Sequence, residues 1–301
     1  MFDIVGKRLW FLLISGMLIL VSAIALGVFG LELGIDFASG SITTLDFEQE
    51  VTPDELEQQL ATLGYTAELE QNPQGDFLIR TVRLTSAEKA QLKAGLNAMF
   101  GTVTEKSFED VDPVIAEQTA SVAGIAVGIA AICILLYVAW AFHRMPNPLR
   151  YGVCAVIALL HDVLLVLGVF SILGAVMGWE INLMFITGVL AVIGYSVNNT
   201  VVVFDRIREN LHRGVSANFE VVVNNSLVET LSRSLNTSLT TLFVVLALLL
   251  FVGVSIQNFA VVLLVGVVAG TYSSLFIAPH LLVTWEKGRW GGFTRLLPTG
   301  S

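Results

Sequence analysis

Residues 194–210 read GYSVNNTVVVFDRIREN, and this stretch decides the fold because it passes directly from an apolar run into dense charge. Its first half belongs to an uncharged run of 24 residues, Ile181 to Phe204, long enough to cross the roughly 30 Å hydrocarbon core of a bilayer. The four charges that follow place the membrane boundary near Phe204. Asn198 and Asn199 then lie more than one helical turn inside the membrane, where a polar group usually has a function.

The composition of the whole chain is that of a membrane protein. Of its 301 residues, 55% are hydrophobic and 14% are charged, and the mean hydropathy is +0.78. The net charge of -9 is uneven, because residues 32–117 contain 17 acidic and 5 basic residues and the remainder is slightly basic. An acidic polar segment argues against nucleic acid as a partner. Both cysteines, Cys133 and Cys154, lie in apolar runs, so this segment has no disulfide.

Six apolar runs predict six membrane-spanning helices. The first, Leu9 to Leu31, could be a cleaved signal peptide, because Ala23-Ile24-Ala25 resembles a cleavage site, but its 23 residues favour an uncleaved anchor. The other five runs lie at residues 119–142, 151–178, 181–204, 234–256 and 259–285.

The basic residues predict the orientation of these helices. If the chain alternates across the membrane, they fall on one side, which the positive-inside rule assigns to the cytoplasm. They are Lys7, Arg8, Arg144, Arg150, Arg206, Arg208, Arg213, Lys287, Arg289 and Arg295, whereas the opposite turns near 178–180 and 254–257 contain neither Lys nor Arg. The predicted order is therefore a cytoplasmic N-terminus with helix 1 (1–31), an extracytoplasmic domain (32–117), helices 2–6 (118–285) and a cytoplasmic tail (286–301).

The acidic segment has the periodicity of a small α+β domain. Strands are predicted at 41–47, 65–70, 77–83 and 103–111, with 72–75 as the turn of a hairpin. Two helices begin at capping boxes, Thr52 with Glu55 and Thr85 with Glu88. The order βαββαβ is that of a ferredoxin-like domain, in which both helices cover one face of a four-stranded antiparallel sheet.

A carboxylate interrupts the apolar run 151–178. His161-Asp162 lies in its middle, where a charge costs roughly 3 kcal/mol. Asp162 is therefore expected to face the bundle interior. If the spanning segment instead begins later, both residues lie near the cytoplasmic interface.

The predicted fifth helix carries a polar stripe. Its members fall at i, i+3, i+4, i+7 and i+8, which places them on one face: Arg233, Asn236, Thr237, Thr240 and Thr241. We expect Arg233 to face the bundle interior at the depth of Asn199, as part of a transport path. The alternative is an arginine that extends to the interface, followed by hydroxyls that bond back to their own helix.

Two further sets of residues suggest contacts between helices. Asn199 shares a face with Tyr195 and Ser196, and Asn198 is either part of the path or a hydrogen bond that joins two helices. A row of small residues in the sixth helix predicts close packing: Gly266, Gly270 and Ser274.

No enzyme, cofactor or metal site is predicted. The sequence has no phosphate-binding loop, metal-ligand spacing or nucleophile triad. Transport would therefore need an energy source other than ATP bound by this chain.

Five motifs together resemble the SecF family of protein-export membrane subunits. They are GIDFASGS (34–41), ALLHDV (158–163), GYSVNNTVVVFDRIREN (194–210), TLSRSLNTSLTT (230–241) and GTYSSLFIAP (270–279). The resemblance implies half of a twelve-helix unit of the resistance-nodulation-division superfamily, paired with SecD in the bacterial cytoplasmic (inner) membrane. It also implies work beside the SecYEG channel on preproteins that SecA has started, driven by the proton motive force.

The chain departs from the pattern of that family at two positions. The family usually has GIDF-x-GG, whereas Ser39 precedes Gly40 here and constrains the backbone at the entry to the domain. The family usually has Asp where this chain has Asn199, and that Asp and the Arg matching Arg233 are linked to proton movement. The resemblance therefore implies a chain held toward its protonated-like state, unless Asp162 or a SecD carboxylate carries the proton.

Two other classes of protein compete with this interpretation. An exporter of a small molecule or lipid from the same superfamily usually has twelve spans and two large outer loops in one chain, which is twice what this sequence contains. A purely structural scaffold would not need Asp162 and the Arg233 stripe inside the bilayer.

Overall fold

The computed structural model describes residues 3–72, 75–145, 147–251 and 256–286, and the chain divides into two compact units. One unit comprises residues 1–32 and 126–301, and the other comprises residues 33–125. The helices are α1 (Arg8–Phe29), α2 (Ile35–Ala38), α3 (Pro53–Thr62), α4 (Ser86–Phe100), α5 (Pro113–Ala141), α6 (Pro148–Met177), α7 (Leu183–His212), α8 (Phe219–Phe251), α9 (Gln257–Phe276) and α10 (Ala278–Glu286). The strands are β1 (Gly40–Phe47), β2 (Ala67–Gln71), β3 (Phe77–Thr81) and β4 (Val103–Val111).

The unit at 33–125 contains a four-stranded antiparallel sheet in the order β2-β3-β1-β4. Along the chain its strands and the helices α3 and α4 follow the predicted order of elements. Both capping boxes are confirmed, with Thr52 and Thr85 each accepting a hydrogen bond from the backbone N–H three residues on. Each helix therefore begins after a residue whose side chain satisfies one of its free N–H groups.

The core of this unit lies between the sheet and the two helices. Strand residues alternate across the sheet, so that one side of β1 and β3 faces the helices. The buried set is Leu45, Leu56, Leu60, Phe77, Ile79, Leu84, Leu92, Leu96 and Val103. The unit thus has a hydrophobic core of its own.

The other unit is a bundle of apolar helices. Across the described residues, six segments are long and apolar enough to span a bilayer: Val5–Phe29, Pro113–Ala141, Pro148–Met177, Leu183–His212, Phe219–Phe251 and Gln257–Glu286. The prediction of a multi-pass helical membrane protein is therefore confirmed.

The helices are longer than the apolar runs that predicted them. The run 181–204 ends where charge begins, but α7 continues to His212, and α8 begins at Phe219 rather than near 234. Past the apolar part, α7 and α8 pair through Arg206 Nε and Glu229 Oε2 at 2.6 Å. Polarity marks the membrane boundary, whereas these contacts extend the helices beyond it.

The sixth predicted span is interrupted. It consists of α9 and α10, which meet at Ile277, and Pro279 follows within the first turn of α10. Because proline has no N–H to donate, it is tolerated in a first turn but not in a helix interior.

The described part of α9 packs closely against α7. A Cβ on Gly188 would lie 2.8 Å from Val262, a Cβ on Gly270 would lie 3.0 Å from Ser196, and a Cβ on Gly266 would collide with Val192. Ser274 is fully buried and donates its hydroxyl to the carbonyl of Thr271. Small residues at these positions allow the two backbones to approach.

Some predicted features lie outside the described residues. They are the centre of the hairpin turn at 72–75, the first half of the turn near 254–257, and the tail residues with Lys287, Arg289 and Arg295.

Candidate functional site

Asp162 lies in the middle of α6 and is 1% exposed. Its Oδ2 accepts hydrogen bonds from Ser196 Oγ of α7 at 2.5 Å and from Ser273 Oγ of α9 at 2.7 Å. Its Oδ1 lies 3.1 Å from His161 Nδ1. One carboxyl group therefore joins three helices, as expected for a polar residue that faces the bundle interior.

These contacts replace the water that a carboxyl group loses on burial. Two hydroxyls and one imidazole N–H can donate to the two oxygens, which supplies most of the bonds that a carboxylate accepts. Among the described residues, no Lys or Arg forms an ion pair with Asp162. The buried carboxyl group is thus held by neutral donors, whose geometry depends on how α6, α7 and α9 pack.

A second set of hydroxyls joins α7, α8 and α9. Tyr195 donates its phenol to Ser238 Oγ at 2.8 Å, and Ser238 Oγ lies 2.6 Å from Thr271 Oγ1. Tyr195 is the neighbour of Ser196, and Thr271 precedes Ser273 by two residues. The two polar sets therefore occupy adjacent positions on α7 and α9.

Asn199 is buried, with 3% of its surface exposed, one turn beyond Ser196 on α7. Within the described chain its Nδ2 has no hydrogen-bond partner. A buried amide nitrogen without a partner is unusual, because most buried polar groups bond to protein or to internal water.

Within this chain, the polar stripe on α8 lies on the outside of the bundle and not, as expected from the sequence, in its interior. Arg233, Asn236 and Thr237 are exposed, and the buried face of α8 carries Ser234 and Ser238 instead. No hydrogen bond or ion pair between Arg233 and Asn199 is found among the described residues. A helical period shows that residues share a face, but it does not show which face the neighbouring helices cover.

Asn198 is also exposed, on the side of α7 away from Asn199. The two adjacent amides therefore have different surroundings, because neighbouring residues in a helix point about 100° apart. Only Asn199 belongs to the buried part of the bundle.

Sequence reasoning missed Ser273 and Ser238 as members of the buried polar sets. Serine in a spanning helix usually bonds back to its own backbone, and Ser238 also does so, to the carbonyl of Ser234. The available signal was a buried carboxylate that needs donors from other helices. That requirement limits which residue types can be the donors, but it does not show at which positions of the other helices they lie.

His161 and Asp162 do not form a metal site with a third ligand. No group of three His, Cys, Asp or Glu side chains able to hold a metal ion is found within the described residues. Two ligands leave a divalent ion mostly uncoordinated.

Fold and site together define a multi-pass helical membrane protein whose spanning helices are joined by a buried carboxyl group and hydroxyls. The family description "Protein export membrane protein SecD/SecF, C-terminal" matches residues 91–288, and "SecD/SecF GG Motif" matches residues 24–51. The chain belongs to the SecD/SecF family of protein-export membrane proteins.

Individual relatives extend over nearly the whole chain. Protein translocase subunit SecF of Thermobaculum terrenum is 43% identical over 300 residues, which cover 95% of each chain. Protein translocase subunit SecF of Anaerolinea thermophila is 42% identical over 295 residues, which cover 96% of each.

A solved structure shares the fold. The crystal structure of SecDF, a translocon-associated membrane protein from Thermus thermophilus, has a TM-score of 0.84 and 32% identity to this chain. The similarity covers 95% of this chain but 39% of that one. The SecDF relative of Bacillus subtilis is 35% identical, and again the match covers 95% of this chain and 38% of the relative.

Proposed function

We propose that this chain is the SecF-type subunit of a protein translocase and uses the proton motive force to assist preproteins across the bacterial cytoplasmic membrane. It would act beside the SecYEG channel, after ATP-driven SecA has started the preprotein. The observation that carries the proposal is Asp162, a fully buried carboxyl group held by α6, α7 and α9. This carboxyl group and the His161 ring in contact with it can together couple a change of charge to a change of helix packing.

The exposed polar stripe supports a partner that is itself a helical membrane protein. Arg233, Asn236 and Thr237 lie in the spanning part of α8 but outside the bundle, where lipid would leave their polar groups without partners. A second six-helix protein of the SecD type would cover them. Relatives that carry the SecDF name contain a region similar to this chain within a longer chain.

The unit at 33–125 supports the proposal of a ferredoxin-like extracytoplasmic domain. Its sheet order and its two helices are those of the split βαβ arrangement. Placing this domain outside and both termini inside follows from the basic residues of the other loops.

Because position 199 holds Asn in this chain, the proton site lies at a different position from the one that the family resemblance implies. An amide does not ionise near neutral pH, so Asn199 can hydrogen-bond but cannot exchange a proton. In this chain the coupling group is therefore Asp162 and its neighbours. Position 199 acts as a permanently neutral residue.

The test measures preprotein transport in vesicles that contain the chain, a SecD-type partner, SecYEG and SecA. We expect transport to fall when an uncoupler is added, and we expect Asp162→Asn to remove that dependence. Asn199→Asp should add a second group that responds to the gradient and so increase uncoupler-sensitive transport. Asn198→Asp is the matched control, because Asn198 is exposed and should give no increase.

Three results would reject parts of the proposal. Transport that does not depend on the chain at all would remove the translocase function. An Asp162→Asn chain with full uncoupler sensitivity would move the coupling away from α6. An Asn198→Asp chain that gains as much as Asn199→Asp would show that added charge, and not position 199, causes the increase.

A further inference from the structure

His161 is a buried imidazole in contact with Asp162. It is 3% exposed, and its Nδ1 lies 3.1 Å from Asp162 Oδ1. Its Nε2 is buried and has no hydrogen-bond partner among the described residues. The two nitrogens of this ring therefore have different surroundings.

With Asp162 ionised, the contact between the two side chains determines which nitrogen of His161 carries the hydrogen. An ionised carboxyl oxygen can only accept, so Nδ1 must hold the hydrogen and donate it. The neutral ring then has a lone pair at Nε2. This lone pair is buried and unused in the described chain, so it can accept a proton without breaking a hydrogen bond.

Asp162 itself is less suited to take up the proton. Its Oδ2 already accepts from Ser196 and Ser273, and its Oδ1 faces the Nδ1–H of His161. Protonation of Oδ2 would require Ser196 or Ser273 to turn away, and protonation of Oδ1 would require His161 to move its hydrogen from Nδ1 to Nε2, because an O–H group cannot point at another donor.

The titratable groups on the helices around His161 have partners elsewhere, and Asp162 is the acidic group that His161 contacts. On α9, the Tyr272 ring stacks on His161 with centroids 6.4 Å apart, and its hydroxyl donates to the Phe11 carbonyl. On α1, the titratable residue is Arg8 at its start, paired with Glu220. On α7, Ser196 donates to Asp162, Tyr195 donates to Ser238 of α8, and the charges begin at Asp205, which pairs with Arg208. On α10, His280 contacts the Phe276 carbonyl and Glu286 pairs with Arg150.

We propose that His161 Nε2 is the atom that takes up the transported proton, and that Asp162 remains ionised as its fixed counter-charge. This assignment rests on the proton-coupled function proposed above. Uptake forms one N–H bond at Nε2 while one O–H bond of a hydronium ion in the internal water breaks, no bond within the protein breaks, and release reverses the step. The pair changes from a net charge of −1 to 0, so uptake removes a charge from the bundle interior.

Unpartnered polar atoms near the same depth support access by water. Asn199 Nδ2 and Ser234 Oγ are also buried without partners in the described chain. His161 lies about 16 residues from the end of α6, Asn199 about 16 from the start of α7, and Ser234 about 16 from the end of α8. At 1.5 Å per residue, each distance is roughly 24 Å. Ser171 Oγ, a further such atom, lies on α6 between His161 and the end of that helix. Buried polar atoms of this kind usually bind internal water.

The variants are chosen to separate proton uptake from positioning. His161→Asn keeps an N–H donor near the place of Nδ1 but has no nitrogen that titrates, whereas His161→Phe keeps only the volume. His280→Asn is the matched control. His280 is equally buried with an unpartnered Nε2, but its Nδ1 contacts a backbone carbonyl instead of a carboxyl group.

In the vesicle assay, with the full chain and its partner, we expect His161→Asn and His161→Phe to lose uncoupler-sensitive transport. His280→Asn should retain it. Full uncoupler sensitivity in His161→Asn would overturn the proposal for His161 while leaving the proton-driven function in place. Loss in His280→Asn as complete as in His161→Asn would also overturn it, because any buried histidine would then be required.

The second measurement does not depend on transport. ¹⁵N spectra of histidine-labelled protein, assigned by the signal missing from His161→Asn, should show Nε2 of His161 gaining a proton on acidification while Nδ1 stays protonated. Infrared spectra of the native chain and of Asp162→Asn should show the same carboxylic-acid bands, because Asp162 stays ionised. A band that is missing from Asp162→Asn, together with an unchanged His161 signal, would assign the proton to Asp162 and overturn the proposal. If native transport ignores the uncoupler, the proton-coupled function fails, and these spectra still decide the protonation of His161.

Discussion

Ser39 has a backbone conformation that is costly for any residue except glycine. Its φ is 63° and its ψ is 159° at the end of α2, immediately before β1. This region is essentially restricted to glycine and costs other residues on the order of 1–3 kcal/mol. The departure from glycine that was visible in the sequence is therefore a real strain in the structure.

We predict that Ser39→Gly stabilises the unit at 33–125 by about 1 kcal/mol, after the greater freedom of glycine in the unfolded chain is subtracted. Hydrogen exchange of peptides from β1 in the full chain would measure this. Ser39→Ala is the control, since it removes the hydroxyl but keeps the side-chain carbon, and it should give no gain. Equal protection in all three chains would show that the surrounding backbone relaxes the strain.

Asp76 is a charged residue whose folded environment makes stability depend on pH. It is 5% exposed, and the hydrogen bond from Lys106 Nζ at 2.5 Å, with a second from Asn72, holds the pKa of its carboxyl group below the ordinary value. The same contact with Asp76 raises the pKa of Lys106. The folded state therefore favours the ionised form of both groups.

A lowered carboxyl pKa gives stability that is present above the unfolded value, about 4, and is lost as the pH falls through the folded value. We predict that Asp76→Asn costs about 2 kcal/mol at neutral pH and costs much less in acid. Hydrogen exchange of β3 and β4 peptides at several pH values would measure the difference. Glu50→Gln, at an exposed position, should leave the profile unchanged, and an Asp76→Asn chain with the native pH profile would contradict the prediction.

At the scale of helices, α7 and α9 depend on glycine for their approach. A Cβ on Gly266 would collide with Val192, whereas a Cβ on Gly194 of α7 would have no neighbour within 4 Å. We predict that Gly266→Ala destabilises the bundle by about 1–3 kcal/mol, because overpacking forces side chains and backbone to move. Gly194→Ala should be neutral or slightly stabilising, because alanine favours the helix. Thermal unfolding in detergent would compare them, and equal unfolding temperatures would show that α9 shifts without cost.

The elements were predictable where one local rule determined them. Thr52 and Thr85 fixed the starts of α3 and α4, because a capping box is formed within four residues. The extension of α7 to His212 was not predictable, because it depends on Arg206 and Glu229 meeting across two helices. Local sequence contains the first kind of information and not the second.

The site divides in the same way. Asp162 was predictable as an interior residue, because a carboxyl group in an apolar helix has few other stable positions. Ser196 and Ser273 became its partners only through the packing of three helices. The Arg233 stripe lies on the face of α8 that turns away from this chain's own bundle, and its helical period alone did not indicate which face that would be.

At the scale of the whole molecule, the bundle has a buried polar set around Asp162 and an exposed polar stripe on α8, and they differ in where their hydrogen-bond partners come from. Asp162 has its hydrogen-bond donors within this chain, whereas Arg233, Asn236 and Thr237 are exposed inside a predicted span. The first set can change its protonation within this chain, and the second set needs a surface from outside. A change of helix packing around Asp162 would reach α8 through the contact of Tyr195 with Ser238. A partner that covers the Arg233 stripe would therefore respond to changes around Asp162.

We predict that a photo-crosslinker attached at Thr237→Cys captures a SecD-type partner in native membranes, because a partner must cover this polar face if lipid does not. The background needs Cys133→Ser, since Cys133 is exposed and would be labelled, whereas Cys154 is buried. Leu20→Cys is the matched control: Leu20 is exposed on α1, which packs against α6 and meets α8 at its start, where Arg8 pairs with Glu220. Equal capture from both positions, or capture of lipid alone from position 237, would contradict a partner on this face. The Arg233 stripe would then have to be satisfied by snorkelling to the interface, as the alternative in the sequence allows.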